Sequence, residues 1–247
     1  MNLLLVEYSI WLFMAIGVAA VLYSSVGHGG ASGYLAAMAL FGLEPSIMKP
    51  AALTMNIFVT VLVLSRTHIN GHFNWRLFVP IMSASMPMAF LGGAYTINSS
   101  AYKIIVGLLL ILAVWRMFWQ TKDVVILKHP KTWIAVPVGG VLGFVSGLTG
   151  VGGGIFLSPL LLLFRWTDIK GSVSIAAAFI LLNSVAGLSG YISTGDEWPS
   201  GIPLLVTTAI SGALIGTMLI KRVASNGLRH LLCLVLLVAG FKMIVTA

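Results

Sequence analysis

Two glycine clusters are the parts of this sequence whose residue types and spacing best suit ligand binding. They comprise Gly27, His28, Gly29 and Gly30 in the first cluster and Gly150, Val151, Gly152, Gly153 and Gly154 in the second. Each cluster precedes a short apolar segment that we predict to be helical. Unpaired backbone N–H groups at the start of such a helix, with the positive end of its dipole, favour an anion. Glycine lets the backbone approach an oxyanion closely because it has no Cβ, although the glycines could instead serve close helix packing.

Polar side chains near the clusters are expected to complete this site. Asn56 and Asn183 each lie in the long apolar segment that follows a cluster and its short helix. An amide in a membrane helix is costly unless it is paired. Each asparagine is therefore predicted either to contact the ligand or to form a hydrogen bond between helices. The hydroxyl of Ser32 is a further candidate donor, although it could equally bond a carbonyl of its own helix.

The elements that must position these residues are membrane helices. The 247 residues are 59% hydrophobic and only 8% charged, against roughly 25% charged residues in soluble domains. Residues 3–43 and 133–164 contain the glycine clusters and are predicted to be hairpins. Six further apolar segments approach the length of about 20 residues that spans a bilayer. They are residues 47–64, 77–97, 104–119, 173–191, 204–220 and 228–245.

The charges in the loops predict how these segments are oriented. The net charge is +8, and most lysines and arginines fall near residues 66–76, 116–131, 165–170 and 221–229. The positive-inside rule places such loops in the cytoplasm, so the basic charge is an orientation signal and no nucleic-acid partner is predicted. The loop at residues 191–200 carries two acidic residues and no base, and is predicted to lie outside. Each hairpin must then begin and end on one side of the membrane, and both termini are predicted to lie outside.

The chain is also predicted to contain two inverted repeats. Residues 1–121 form the first, residues 122–132 a cytoplasmic linker and residues 133–247 the second. The first glycine cluster precedes the second by 123 positions, and Asn56 precedes Asn183 by 127 positions. Each repeat has a glycine-broken re-entrant hairpin and three crossings, and an odd number of crossings inverts the second repeat. The predicted fold class is an all-α polytopic membrane protein of the kind that many secondary transporters adopt.

His28 is the intramembrane side chain that titrates near neutral pH. As a cation it would strengthen anion binding, and as a proton carrier it is the candidate for proton coupling. The alternative is a neutral histidine bonded to a neighbouring serine. No lysine, arginine, aspartate or glutamate falls at the predicted membrane midplane, so no fixed charge is expected at the site.

Other chemistries find little support in the sequence. His68 and His72 have a zinc-like spacing, but Asn70 and Gly71 interrupt the helix and no third ligand accompanies them. The single Cys233 excludes an intramolecular disulfide and a multi-cysteine metal site. The glycine clusters lack the Gly-Lys-Ser/Thr ending of a phosphate loop. We therefore predict no metal, no cofactor and no enzymatic activity.

The second cluster resembles the signature of a known family. The pattern Gly147-x-x-Gly150-Val151-Gly152-Gly153-Gly154-x-x-x-x-Pro159-Leu160-Leu161 is similar to that of the sulfite exporter TauE/SafE family, also called the toluene-sulfonate uptake permease family. The first half departs from it, because His28 interrupts the glycines and no proline matches Pro159. The resemblance implies transport of a small sulfur-containing anion, such as sulfite, thiosulfate or an organosulfonate, across the bacterial cytoplasmic membrane.

Several alternatives remain open at this point. Members of the family are described as exporters and as importers, so the direction is not implied. An anion channel of the same architecture is the second hypothesis, and a membrane-embedded enzyme or assembly factor is the third. The expected partners are the substrate and the lipid bilayer, and a homodimer is also considered because many such carriers are dimers. If the transporter hypothesis is right, we expect a cavity between the two halves at the glycine clusters.

Overall fold

The computed structural model describes residues 10–66, 73–118, 131–218 and 226–247, with side chains for 10–66, 73–115, 131–218 and 233–247. Over these ranges the regular structure is helical throughout, which confirms the all-α prediction. The described helices are α1 (Ile10–Ser25), α2 (Ala31–Leu40), α3 (Pro45–Arg66), α4 (Trp75–Ala94), α5 (Ser99–Phe118), α6 (Thr132–Thr149), α7 (Gly154–Leu163), α8 (Ile169–Ser193), α9 (Ile202–Met218) and α10 (Asn226–Val245). His68, His72 and residues 122–130 of the predicted linker lie outside the described ranges.

The apolar character of these helices suits a lipid environment. Helices α3, α4, α6 and α8 are long and apolar enough to cross a membrane, judged by length and composition. Large apolar side chains such as Trp11, Trp133 and Phe241 are mostly exposed on the outside of the bundle. Such a surface is unfavourable in water and favourable against lipid tails. The fold is therefore that of a multi-pass membrane protein.

Two short breaks interrupt the helices at the glycine clusters. The first break, residues 26–30, joins α1 to α2, and the second break, residues 150–153, joins α6 to α7. Side chains with a Cβ are strained at positive φ, so these turns require glycine. Positive φ angles occur at equivalent places in the two breaks, namely 79° at Gly27 and 80° at Gly150, then 93° at Gly30 and 68° at Gly153.

Glycines also bring core helices into backbone contact. Helix α4 packs against α6 and α8. A β-carbon at Gly147 would overlap the carbonyl oxygen of Ala89, and one at Gly93 would overlap that of Gly187. Gly212 makes a similarly close approach from α9 to α1. Membrane helices associate through close packing of this kind, because burial of apolar surface gains little in lipid.

Candidate functional site

The amide of Asn56 lies between the two breaks. Asn56 is in α3 and is completely buried. A β-carbon at Gly29 would lie 2.9 Å from its Oδ1, and one at Gly152 would lie 2.6 Å from its Nδ2. Neither amide atom has a hydrogen-bond partner among the described residues. One side chain from the first half of the chain therefore contacts both glycine clusters and keeps its donor and acceptor unpaired.

Unpaired backbone donors lie beside this amide. No acceptor within the described ranges takes the N–H groups of Gly29, Gly30, Ala31, Ser32 and Gly33 in the first break and the start of α2. The same holds at the second break for Gly152, Gly153 and Ile155. Other N–H groups there are engaged: that of Gly154 donates to the Gly152 carbonyl at 2.9 Å, that of Gly150 to the Ser146 carbonyl at 2.9 Å, and that of Val151 to the Thr149 hydroxyl at 3.4 Å. A buried N–H without an acceptor costs about 1–3 kcal/mol, so these groups favour a ligand that brings acceptors.

Two buried hydroxyls that the sequence reasoning missed lie at the same breaks. A β-carbon at Gly30 would lie 2.7 Å from the Tyr34 hydroxyl oxygen, and one at Gly153 would lie 3.4 Å from the Cβ of Ser146. Both residues are completely buried, and neither hydroxyl has a partner in the described part of the chain. No sequence motif marks them, because their importance depends on lacking a partner in the folded protein.

Ser32 and Asn183 differ from Asn56 in this respect. The hydroxyls of Ser32 and Tyr23 are 2.6 Å apart and hydrogen-bonded to each other. Asn183 is buried in α8, where its Oδ1 accepts a hydrogen bond of 2.8 Å from the Ser85 hydroxyl of α4. Its Nδ2 has no partner in the described structure. The interhelical hydrogen bond considered for both asparagines thus exists for Asn183, whereas Asn56 remains unpaired.

His28 links the first break to α7. Its Nε2 lies 3.2 Å from the Ser158 hydroxyl, and its Nδ1 lies 3.1 Å from the Val26 carbonyl oxygen. The imidazole is partly exposed, unlike Asn56. The contact with Ser158 is the kind of histidine–serine pair that we expect if His28 is a neutral, structural residue.

The glycines of the breaks are closely packed. A β-carbon added at Gly29 or Gly152 would lie 3.0 Å from a methyl group of Ile180, and one added at Gly154 would lie 2.5 Å from it. At the edges of the breaks, Gly27 faces Val173. The open cavity that we expected at the glycine clusters is therefore not present in this conformation, because Asn56 and Ile180 fill the space beside them.

A cavity of about 710 Å³ does open nearby, and we call it the vestibule. Its wall includes Lys49, Tyr102 and Leu148, which are buried, and Asp196 and Glu197, which are exposed. None of the break glycines lines it. The vestibule approaches the second break, because the hydroxyl of its wall residue Tyr102 donates at 2.8 Å to the carbonyl oxygen of Thr149, which adjoins Gly150.

Lys49 is a buried charge that the sequence reasoning did not use. Its side chain is only 7% exposed, and its Nζ donates to the carbonyl oxygens of Gly92, Gly93 and Tyr95 at 3.3, 2.6 and 3.2 Å. These carbonyls belong to the C-terminal end of α4, where a cation is favoured by the helix dipole. Its own carbonyl oxygen would lie 3.0 Å from a β-carbon at Gly150. A lysine therefore lies beside the second break, although its ammonium is held by the end of α4.

Comparisons with known proteins find a family that matches almost the whole chain. The family described as sulfite exporter TauE/SafE matches residues 12–243. A probable membrane transporter protein of Sinorhizobium fredii is 34% identical over 242 residues, which cover 96% of this chain and 98% of that protein. Further probable membrane transporter proteins are 25% identical in Methanocaldococcus jannaschii, with 92% of both chains covered, and 26% identical in Bacillus subtilis, with 88% of this chain and 92% of the relative covered. No solved structure shows a significant match. The chain belongs to the sulfite exporter TauE/SafE family.

Proposed function

We propose that this protein is a secondary transporter that moves a small sulfur-containing anion, such as sulfite, thiosulfate or an organosulfonate, across the bacterial cytoplasmic membrane. The observation that carries the proposal is the buried, unpaired amide of Asn56 between Gly29 and Gly152. A protein gains nothing in stability from such an amide, but the Nδ2 group of Asn56 could donate hydrogen bonds to a bound oxyanion. The family name and the names of the relatives, which are probable membrane transporters, agree with transport.

The finer architecture that we propose is a pair of inverted repeats. In the proposed repeat, α1 corresponds to α6 and α4 corresponds to α9. The packing of α4 on α6 therefore corresponds to the packing of α9 on α1, and both contacts are present. The matching positive φ angles at Gly27 and Gly150, and at Gly30 and Gly153, are a second support. With both termini outside, as the loop charges predict, the vestibule faces the outside of the cell.

The mechanism we propose is alternating access around a site between the two breaks. The anion contacts the backbone N–H groups of Gly29, Gly30, Gly152 and Gly153 and the amide of Asn56. Asn183 instead holds α8 to α4 through Ser85. The close packing of Ile180 at the breaks corresponds to a state in which the site is closed, with the vestibule as the path from outside. Opening then requires the two breaks to separate, and proton coupling falls to His28.

Flux measurements in proteoliposomes test this proposal. Purified protein is reconstituted in vesicles loaded with unlabelled sulfite or with chloride, and uptake of labelled sulfite is followed. A transporter with alternating access gives faster uptake into vesicles loaded with sulfite. The carrier then returns to the outward-facing state with unlabelled sulfite bound, so that labelled sulfite exchanges for unlabelled sulfite. Uptake that is equal in both vesicle types would indicate a channel, and uptake no faster than into protein-free vesicles would refute transport of sulfite.

A further inference from the structure

We infer that Ile180 is the barrier that closes the path between the vestibule and the first break. This role rests on the proposed transport function, because such a path matters only in a protein that moves a solute from one side of the membrane to the other. The side chain of Ile180 fills space between the two breaks, and its removal should let small ions pass.

Ile180 contacts both halves of the chain from one position in α8. A β-carbon added at Gly29 in the first break would lie 3.0 Å from its Cγ2 atom, and one added at Gly152 in the second break would lie at the same distance. A β-carbon added at Gly154, where α7 begins, would lie 2.5 Å from its Cδ1 atom. The Ile180 side chain is only 4% exposed. One branched apolar side chain therefore occupies the place where the two breaks meet.

The order of contacts along α8 places Ile180 between the vestibule and the start of the first break. Tyr191 lines the vestibule, whereas Val173 contacts Gly27 at the start of the first break. Ile180 lies between them, about 16 Å before Tyr191 along a helix that rises 1.5 Å per residue. Val26, next to Gly27, is exposed, so the first break reaches the protein surface there. An ion that moves from the vestibule to that surface therefore passes the level of Ile180.

The surroundings of Ile180 differ from those of an ordinary core residue. Ile175 and Phe179, its neighbours in α8, belong to a cluster of buried apolar side chains. Within the described ranges Ile180 belongs to neither apolar core cluster, and it faces break glycines whose N–H groups are mostly unpaired. A hydrophobic constriction in a polar path gates by excluding water, and an ion pays a large cost to leave water. An isoleucine here therefore keeps ions from the peptide groups of the breaks.

The shape and anchoring of Ile180 suit a barrier. An isoleucine in a helix has one strongly preferred χ1 rotamer, so the side chain does not swing readily away from the glycines. Helix α8 is itself fixed to α4 on the vestibule side of Ile180. Asn183 accepts a hydrogen bond from Ser85, and a β-carbon at Gly190 would overlap the carbonyl oxygen of Phe90. Side-chain stiffness and helix packing thus hold the barrier in place.

The test measures chloride efflux, because this readout does not depend on the identity of the substrate. Purified full-length protein is reconstituted in vesicles loaded with potassium chloride, which are diluted into a chloride-free gluconate medium with valinomycin to balance the charge. Ile180→Ala removes the atoms that face Gly29, Gly152 and Gly154. We expect chloride efflux from this variant to be at least about tenfold faster than from wild type, which corresponds to a barrier lower by about 1.4 kcal/mol.

Ile175→Ala is the matched control. Ile175 is completely buried in the same helix, but none of its atoms is among those closest to a break glycine. Its truncation leaves a cavity in the apolar core, so it should lower the melting temperature without raising chloride efflux. Ile180→Val is the second variant, in case Ile180→Ala does not fold. It lacks only the Cδ1 methyl group that faces Gly154, and we expect it to raise chloride efflux about threefold, a smaller reduction of the same barrier.

The outcomes separate the barrier from the proposed substrate. Chloride efflux from Ile180→Ala and Ile180→Val that matches efflux from wild type and Ile175→Ala would overturn the assignment of Ile180. Failure of the proposed function has a different signature, namely no uptake of labelled sulfite by wild type in either type of vesicle. Faster chloride efflux from Ile180→Ala would in that case still identify Ile180 as the barrier to ions.

Discussion

Replacing Asn56 with leucine should make the protein more stable and less able to bind its substrate. Leucine has the same number of heavy atoms as asparagine and also branches at Cγ, so the change mainly removes two polar atoms. Both of these atoms are buried and unpaired between Gly29 and Gly152. A substitution that stabilises a protein while abolishing its binding marks a residue retained for function.

The expected magnitude follows from the surroundings of the amide. Two unpaired buried polar atoms cost about 1–3 kcal/mol each. Leucine methyl groups are bulkier than the amide, and the packing with Ile180 is close. Overpacking therefore destabilises the variant by about 1–3 kcal/mol. The net gain in the free energy of unfolding is about 2 kcal/mol. For a chain of this length that gain corresponds to a rise in melting temperature of about 4–8 °C.

Thermal unfolding in detergent, with and without sulfite, measures both effects at once. Sulfite at a hundred times its dissociation constant should stabilise the wild-type protein by about 2.7 kcal/mol and should leave Asn56→Leu unchanged. Asn183→Leu is the control. Removing its unpaired Nδ2 stabilises the fold, but this gain is offset because the hydrogen bond from Ser85 is lost. Its melting temperature should change little, and its response to sulfite should persist. A lower melting temperature for Asn56→Leu, or a full response to sulfite in that variant, would refute the reasoning.

Three further substitutions give separate expectations. Lys49→Met should lower the free energy of unfolding by about 1–3 kcal/mol, because three carbonyl oxygens at the end of α4 lose a charged donor; an unchanged thermal melt would contradict this. Gly147→Ala should cost about 1–3 kcal/mol or more, since its β-carbon would overlap the Ala89 carbonyl oxygen and push α6 from α4, and wild-type stability would show that the helices can separate freely. His28→Ala should weaken sulfite binding or alter the pH dependence of flux, because it removes the imidazole that contacts Ser158; identical flux at every pH would exclude both roles.

Local chemistry explains what could be predicted from the sequence. Apolar residues dominate the chain, and apolar segments become helices in lipid because every backbone polar group must then be paired within the segment. The two glycine clusters likewise predict the helix breaks. Gly27 and Gly150 adopt φ near +80°, a conformation in which other residues are strained. These features depend on each residue and its near neighbours, so they are readable without the fold.

The partners of the polar groups depended on the tertiary structure. Asn56 and Asn183 each lie in the long helix that follows a break and its short helix, but of the two only Asn183 has a serine of α4 across from its carbonyl oxygen. Lys49 appears in the sequence as a charge near a helix start, yet the end of α4 folds over it and takes its three donors. A hydrogen bond joins atoms that are distant in the chain, so pairing is decided by packing. The sequence alone determined where the helices break, and the tertiary structure decided which donors remain unpaired beside those breaks.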